Sequence, residues 1–261
     1  MRPGTINPDA REQLPMLAAP VLAVALLGSG CGGSSERSDG SSSALPLRVV
    51  EAPTPRLPVR DYVTEGAYPQ VARRGARGVD VRAVNAALRE AVLADQRAYA
   101  PFARKWRRIF ARDNSVYATE PGLYSTTVDR SLVAASTVVV SAVLPTLRER
   151  ARGEGGREWL AMIVDVPSAK QVTIGQLFTD PSRGLRALRS GWEARVGPCR
   201  VNYRAVYDDA AGFALLPAGV AVAVPRVAVC GRDVTIVPFR LLRAYLNQFG
   251  ASLVDGVRAP A

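Results

Sequence analysis

The chain has 261 residues, 48% of them hydrophobic and 22% charged, and its 34 Lys+Arg against 23 Asp+Glu give a net charge of +11. This composition excludes a wholly disordered chain, a collagen-like chain and a polytopic membrane protein. Histidine is absent, which also excludes Ser-His-Asp and Cys-His catalysis and every histidine-containing metal site.

Met16 to Leu27 (MLAAPVLAVALL) is an uncharged apolar run. It is shorter than the roughly 20 residues that span a bilayer and has the length of a signal-peptide hydrophobic region. Leu27-Gly28-Ser29-Gly30-Cys31 follows and resembles a bacterial lipobox. The reading is a lipoprotein signal peptide over residues 1–30, cleavage before Cys31, and a diacylglycerol thioether on Cys31. Arg2, Asp9, Arg11 and Glu12 sum to zero charge where a secretory leader is normally basic. A plain secretory signal with a later cut is therefore the alternative. Residues 31–45 are rich in Gly and Ser and carry no large apolar side chain, as a flexible tether would. Residues 46–261 read as a single domain, placed outside the cytoplasm and lipid-anchored at the cell membrane. With Cys31 lipidated, Cys199 and Cys230 remain. An even pair in an oxidising compartment predicts a disulfide, with two buried free thiols as the alternative.

Within the domain, residues 45–61 and Gly66 to Val71 read as extended chain, the first as an edge strand because of its prolines. Asp80 is a candidate N-cap for a helix whose Val81, Val84, Leu88, Val92 and Tyr99 share one face. Pro101 limits that helix, and Arg104 to Phe110 begins a second short helix or lines a loop. Leu123 to Val128 and Leu132 to Leu144 are Thr-, Val- and Ser-rich strand patterns. Pro145 ends the second, and Arg148 to Gly156 is a charged loop. Trp159 to Val166 and Gln171 to Ile174 form a hairpin around Pro167 to Lys170. Leu185, Leu188, Trp192 and Val196 mark another helix, closed by Gly197-Pro198. Phe213 to Val224 turns at Pro217 and Gly219. Val227 to Val229 and Val234 to Val237 flank a hairpin tip at Gly231 to Asp233, and Pro238 opens a short helix with Leu241, Leu242 and Tyr245. The fold class is α+β, antiparallel sheet with two or three packed helices.

An exported chain rarely meets nucleic acid, and no RNA-binding or zinc-finger motif is visible. The +11 charge therefore points to an anionic lipid or wall polymer, or to an envelope protein, as partner. The candidate contact is Arg104, Lys105, Trp106, Arg107 and Arg108, with Arg112; a solvated helix face with Trp106 in the core is the alternative. Arg148, Arg150, Arg152 and Arg157 alternate with Glu149, Glu154 and Glu158 and read as a solvated loop. Asp208-Asp209 reads as a turn rather than a cation site. No cofactor or metal is expected, and no enzyme. The competing reading is a carboxylate-dependent cell-wall glycan hydrolase using Glu65, Glu120, Asp129 and Asp165, none of which lies in a recognisable motif.

Three stretches together resemble one family. Lys170 to Phe178 (KQVTIGQLF) is similar to its turn, strand and "dLF" element. Phe213 to Val220 (FALLPAGV) is similar to its "F.lt.dGl" strand pair. Val234 to Phe239 (VTIVPF), with Leu241, Leu242 and Leu246, is similar to its closing "v.iPy..l..yl" segment. The family is the extracellular domain of RsiV-type anti-sigma factors, similar also to a secreted mycobacterial antigen family. The resemblance implies an α+β domain without known catalysis. Where that family carries Gly-Gly-Ala-His, this chain has Gly155-Gly156-Arg157-Glu158. An anti-sigma role is not expected, because the hydrophobic run is too short to span. The RsiV-type ligand, lysozyme, is basic in its animal form and is not carried over to a +11 chain.

Overall fold

Two long strands, Val139–Ala151 and Glu154–Asp165, pair over nearly their whole length and form the spine of the molecule. The structure is a computed structural model that describes residues 47–72, 78–113, 115, 119–151, 154–196, 212–224 and 233–258, all within one compact unit, 42–261. In chain order the elements are β1 (Arg48–Pro53), β2 (Tyr62–Ala72), α1 (Val81–Arg112), β3 (Gly122–Thr126), β4 (Val133–Ala135), β5 (Val139–Ala151), β6 (Glu154–Asp165) and β7 (Lys170–Gln171). Then come α2 (Pro181–Val196), β8 (Gly212–Leu216), β9 (Gly219–Ala223), β10 (Val234–Val237) and α3 (Gln248–Arg258). A large sheet has the order β1-β2-β3-β5-β6-β7, with β4 also on β5, and a small sheet has the order β10-β9-β8. The fold class is α+β, with mostly antiparallel sheets and packed helices. The β2–β3 pair is parallel, and α1 is the crossover that such a pair requires.

The middle of the large sheet is buried on both faces, which is why Val139 to Leu144 of β5 reads as a continuous apolar run. Val140, Ala142 and Leu144 of β5 and Leu160, Met162 and Val164 of β6 meet α1 in one core. Val139, Val143 and Ile163 point the other way, into a second core with the small sheet, α2 and α3. Ser141 joins the two sheets. Its fully buried hydroxyl accepts the Leu215 N–H at 2.7 Å and donates to the Met162 carbonyl at 3.2 Å.

Several local expectations give way to packing. The run from Leu132 is broken into β4 and β5 by a tight turn, in which the Ser136 hydroxyl accepts the N–H of both Val138 and Val139 at 3.2 Å. Pro145 does not end β5. It falls between the last β4 pair, Ala142, and the last β3 pair, Thr146. Its carbonyl accepts Thr127 N–H at 3.0 Å, and its missing donor faces the same gap, where no ladder bond is needed. Arg148 to Ala151 and Glu154 to Gly156 are accordingly strand ends. Val234–Val237 pairs with Val220–Ala223 of β9; Val227 to Val229 lies outside the described residues. Pro238 opens two single 3-10 turns, Phe239–Leu241 and Arg243–Tyr245. They lead to α3, a helix the periodicity reading above omits. Asn247 caps it by accepting Gly250 N–H at 2.7 Å, while its amide donates to the Gln176 and Phe178 carbonyls. Gly250 lets α3 seat there: a Cβ at that position would stand 2.2 Å from the Leu177 carbonyl oxygen.

Candidate anion-facing surface

The candidate surface is the C-terminal half of α1. Asp80 caps the helix as expected, accepting Ala83 N–H at 3.1 Å, and Val84, Leu88, Val92 and Tyr99 are buried. The helix does not stop at Pro101 but continues to Arg112. Proline removes one backbone hydrogen bond, but the apolar face persists beyond it through buried Ala103 and the rings of Trp106 and Phe110. Arg104 to Arg108 therefore lies on the same rigid element as the core residues. At 100° per residue, Lys105, Arg108 and Arg112 fall on the strip opposite the buried face.

The five sequence-predicted residues divide. Arg104 and Arg107 turn inward to Asp61, at 3.3 and 3.7 Å, and Arg107 also donates to the Arg60 carbonyl at 3.1 Å. They fasten the segment before β2, which fully buried Gln96 also holds by donating to the Pro55 carbonyl at 2.6 Å. Lys105 and Arg108 are exposed and, like exposed Arg112, have no ion pair among the described residues. Trp106 is half-buried in a ladder with Phe102 and Phe110, ring centroids 6.1 and 5.9 Å away. The Arg150 guanidinium lies 4.1 Å from the Trp106 ring centroid and 5.2 Å from that of Phe102, which is 40% exposed. Such cation–π stacking leaves one edge of the guanidinium available to a further partner. Phe102 and Phe110 follow Trp106 at i±4, a signal the sequence does carry. Arg150 and Asp61 are far away in the chain and could not be foreseen.

Beneath this surface lies a polar cluster. Tyr62, Tyr99 and Tyr124 lie with ring centroids 5.1–6.2 Å apart. The Tyr124 hydroxyl donates to Asp95 at 2.6 Å, and Arg148 is clamped between Asp95 and Glu158. Burial, then the nearby Asp61 and Asp95 charges, pushes the Tyr62 phenol up to about 12. Burial likewise pushes Tyr99 to about 12, against a lowering pull from Arg148. Burial and the Asp95 contact raise Tyr124 further still. Burial lowers the Arg148 guanidinium's pKa, but the Asp95 and Glu158 charges outweigh it and the net direction is upward. Arg148 and Glu158 thus belong to this cluster and not to a solvated loop.

The four carboxylates of the hydrolase reading are spread over different elements. Glu65 is exposed on β2 and Glu120 half-buried before β3. Asp129 accepts Ser131 N–H at 2.9 Å, capping a 3-10 turn, and Asp165 accepts Ser168 N–H at 3.2 Å across a hairpin turn. Cys31, Cys199, Cys230, Arg152 and Asp208-Asp209 lie outside the described residues. Among the described residues, no group of three or more acidic or cysteine side chains could hold a metal ion. Among those residues, too, no helix is long and apolar enough to cross a membrane.

No family model matches the chain, and no curated protein does. Some solved structures do. One is the crystal structure of a DUF3298 family member from Bacteroides fragilis, similar over 80% of this chain and 97% of that one, at 8% identity and a TM-score of 0.44. A likeness this distant assigns neither family nor ligand.

Proposed function

We propose that this chain is an envelope lipoprotein, anchored through Cys31 outside the cytoplasm, whose domain is a non-catalytic binding module. It lays the C-terminal half of α1 against an anionic lipid surface or wall polymer. The observation that carries this reading is the aromatic ladder of Phe102, Trp106 and Phe110 under Arg150, beside an outward strip of Lys105, Arg108 and Arg112 that has no carboxylate partner among the described residues. Basic side chains near an anionic surface contribute about 1 kcal/mol each, and an aromatic at the rim suits an interface that is apolar below and wet above.

The test is co-sedimentation of the chain from Ser42 onward, which holds both cores, with neutral and with anionic vesicles. Binding to the anionic vesicles alone, falling as salt rises, is the expected result. K105Q/R108Q/R112Q removes about 3 kcal/mol and weakens that binding about 100-fold. Equal binding by the variant, or equal binding to neutral vesicles, would overturn the reading. The intact mass of the membrane-extracted protein tests the anchor: a chain beginning at a diacylglycerol-modified Cys31 is expected, and one retaining residues 1–30 refutes it.

A further inference from the structure

A second basic feature lies on the other layer of the molecule, away from α1. The β8–β9 turn, the 3-10 turns after β10 and the end of α3 line an open depression of about 280 Å³. Arg240, Arg243 and Arg258 line it, together with Pro217, Ala218 and Phe239. All three guanidiniums are on exposed residues, and none has an ion pair or side-chain hydrogen bond among the described residues. Three cationic side chains around one small space make it attractive to an anion, most of all at low salt. One wall is fixed: Phe239 is buried in the core shared with the small sheet, α2 and α3.

We infer that this depression is a binding site for a phosphoryl group carried on a small polyol or sugar. Guanidinium forks match the oxygens of phosphate two at a time. A phosphomonoester carries close to two negative charges near neutral pH, so it answers three arginines better than a single carboxylate does. The volume is at the small end for ligand pockets, enough for a phosphorylated three- to six-carbon unit whose carbon skeleton rests on Pro217, Ala218 and Phe239. A free polyol phosphate offers that dianion; a phospholipid headgroup or a phosphate-linked wall polymer presents a phosphodiester, with the same unesterified oxygens for a guanidinium fork but one charge in place of two. The inference does not depend on the α1 surface. α1 packs on one face of the large sheet, and the elements around this depression belong to the core on the opposite face.

Calorimetric titration of the chain from Ser42 onward with glycerol 3-phosphate tests the inference, with acetate as the control anion. Saturable binding with a Kd below about 1 mM is expected, with acetate at least tenfold weaker. Arg240→Gln and Arg243→Gln each weaken binding about tenfold or more, because each removes charge-assisted hydrogen bonds. K105Q/R108Q/R112Q, which removes as much positive charge from α1, leaves it unchanged. No saturation by glycerol 3-phosphate, or an equal loss in the α1 variant, overturns the site. The source is read from vesicles of phosphatidylglycerol. If R240Q/R243Q weakens vesicle binding, the phosphoryl group is a headgroup; if it weakens only the free ligand, the phosphoryl group comes from a soluble or polymer-borne ligand. Loss of vesicle binding in the α1 variant alone bears on the proposed function and leaves this site standing.

Discussion

The two faces of the large sheet are held by different physics. On the small-sheet side the core is almost wholly apolar, with Leu188, Leu215, Val222 and Leu253 fully buried, and its side-chain ties are few, chiefly the Ser141 hydroxyl and the Asn247 amide. On the α1 side the packing ends in directional contacts: Gln96 to the Pro55 carbonyl, Asn85 to both backbone groups of Val71, and Tyr124, Asp95, Arg148 and Glu158 in one chain. Apolar packing tolerates small adjustments of shape, whereas a partly buried ionic chain fixes one register and is weakened if a member is lost. The proposed surface stands on the second kind of support, because Arg150 and Arg148 leave the same strand two residues apart.

The sharpest break is Arg148→Ala. It strands Asp95 and Glu158 together under α1, and a loss of about 4 kcal/mol in denaturant unfolding is expected. A loss below 1 kcal/mol would show that the chain of charges contributes little. Leu215→Ala probes the other face. It opens a cavity between the sheets and lowers stability by about 3 kcal/mol, without changing the salt dependence of unfolding. Ser141→Ala is smaller, about 2 kcal/mol, because the buried Leu215 N–H loses its acceptor. The caps come last: Asp80→Ala leaves the first turn of α1 short of one acceptor and costs about 1 kcal/mol, read as a small drop in melting temperature.

Alkali should separate the faces without mutation. Unfolded tyrosines ionise near 10, whereas Tyr62 and Tyr99 hold their protons to about 12 in the fold. Between those values the unfolded chain binds fewer protons than the native one, so stability falls as pH rises from 10 to 12. Tyr99→Phe should flatten that fall, measured as the unfolding midpoint against pH. An unchanged slope would mean that these phenols are not held in the fold as described.

The same contrast explains what the sequence could disclose. The apolar faces were legible: Val84, Leu88 and Val92 on α1 and Leu188 and Trp192 on α2 declare themselves by spacing. Phe213 to Val220 and Val234 to Val237, read from the sequence as strands with a turn at Pro217 and Gly219, coincide with the observed β8–β9 hairpin and β10. Polar and proline positions were not legible, because their meaning lies across the chain. Pro101 and Pro145 look like stops until Ala103 is seen packing and the gap between β3 and β4 is seen to need no donor. Arg148 looks solvated until Asp95, 53 residues earlier, stands opposite it. α3 does carry a signal, Asn247 followed by Phe249, Leu253, Val254 and Val257. Of the surface, the basic run and the helical spacing of its rings were on the page. The pull of Asp61 on Arg104 and Arg107, and the lid of Arg150, required the fold.

The borders of the large sheet bear on how such a domain behaves when many copies crowd together. One border, β7, is two exposed polar residues long, Lys170 and Gln171. The other, β1, carries Arg48 and Glu51 and ends in Pro53. Short length, charge and proline each deny a neighbouring chain a ladder to extend. Molecules concentrated on a common plane would thus meet one another as solutes rather than as templates for aggregation.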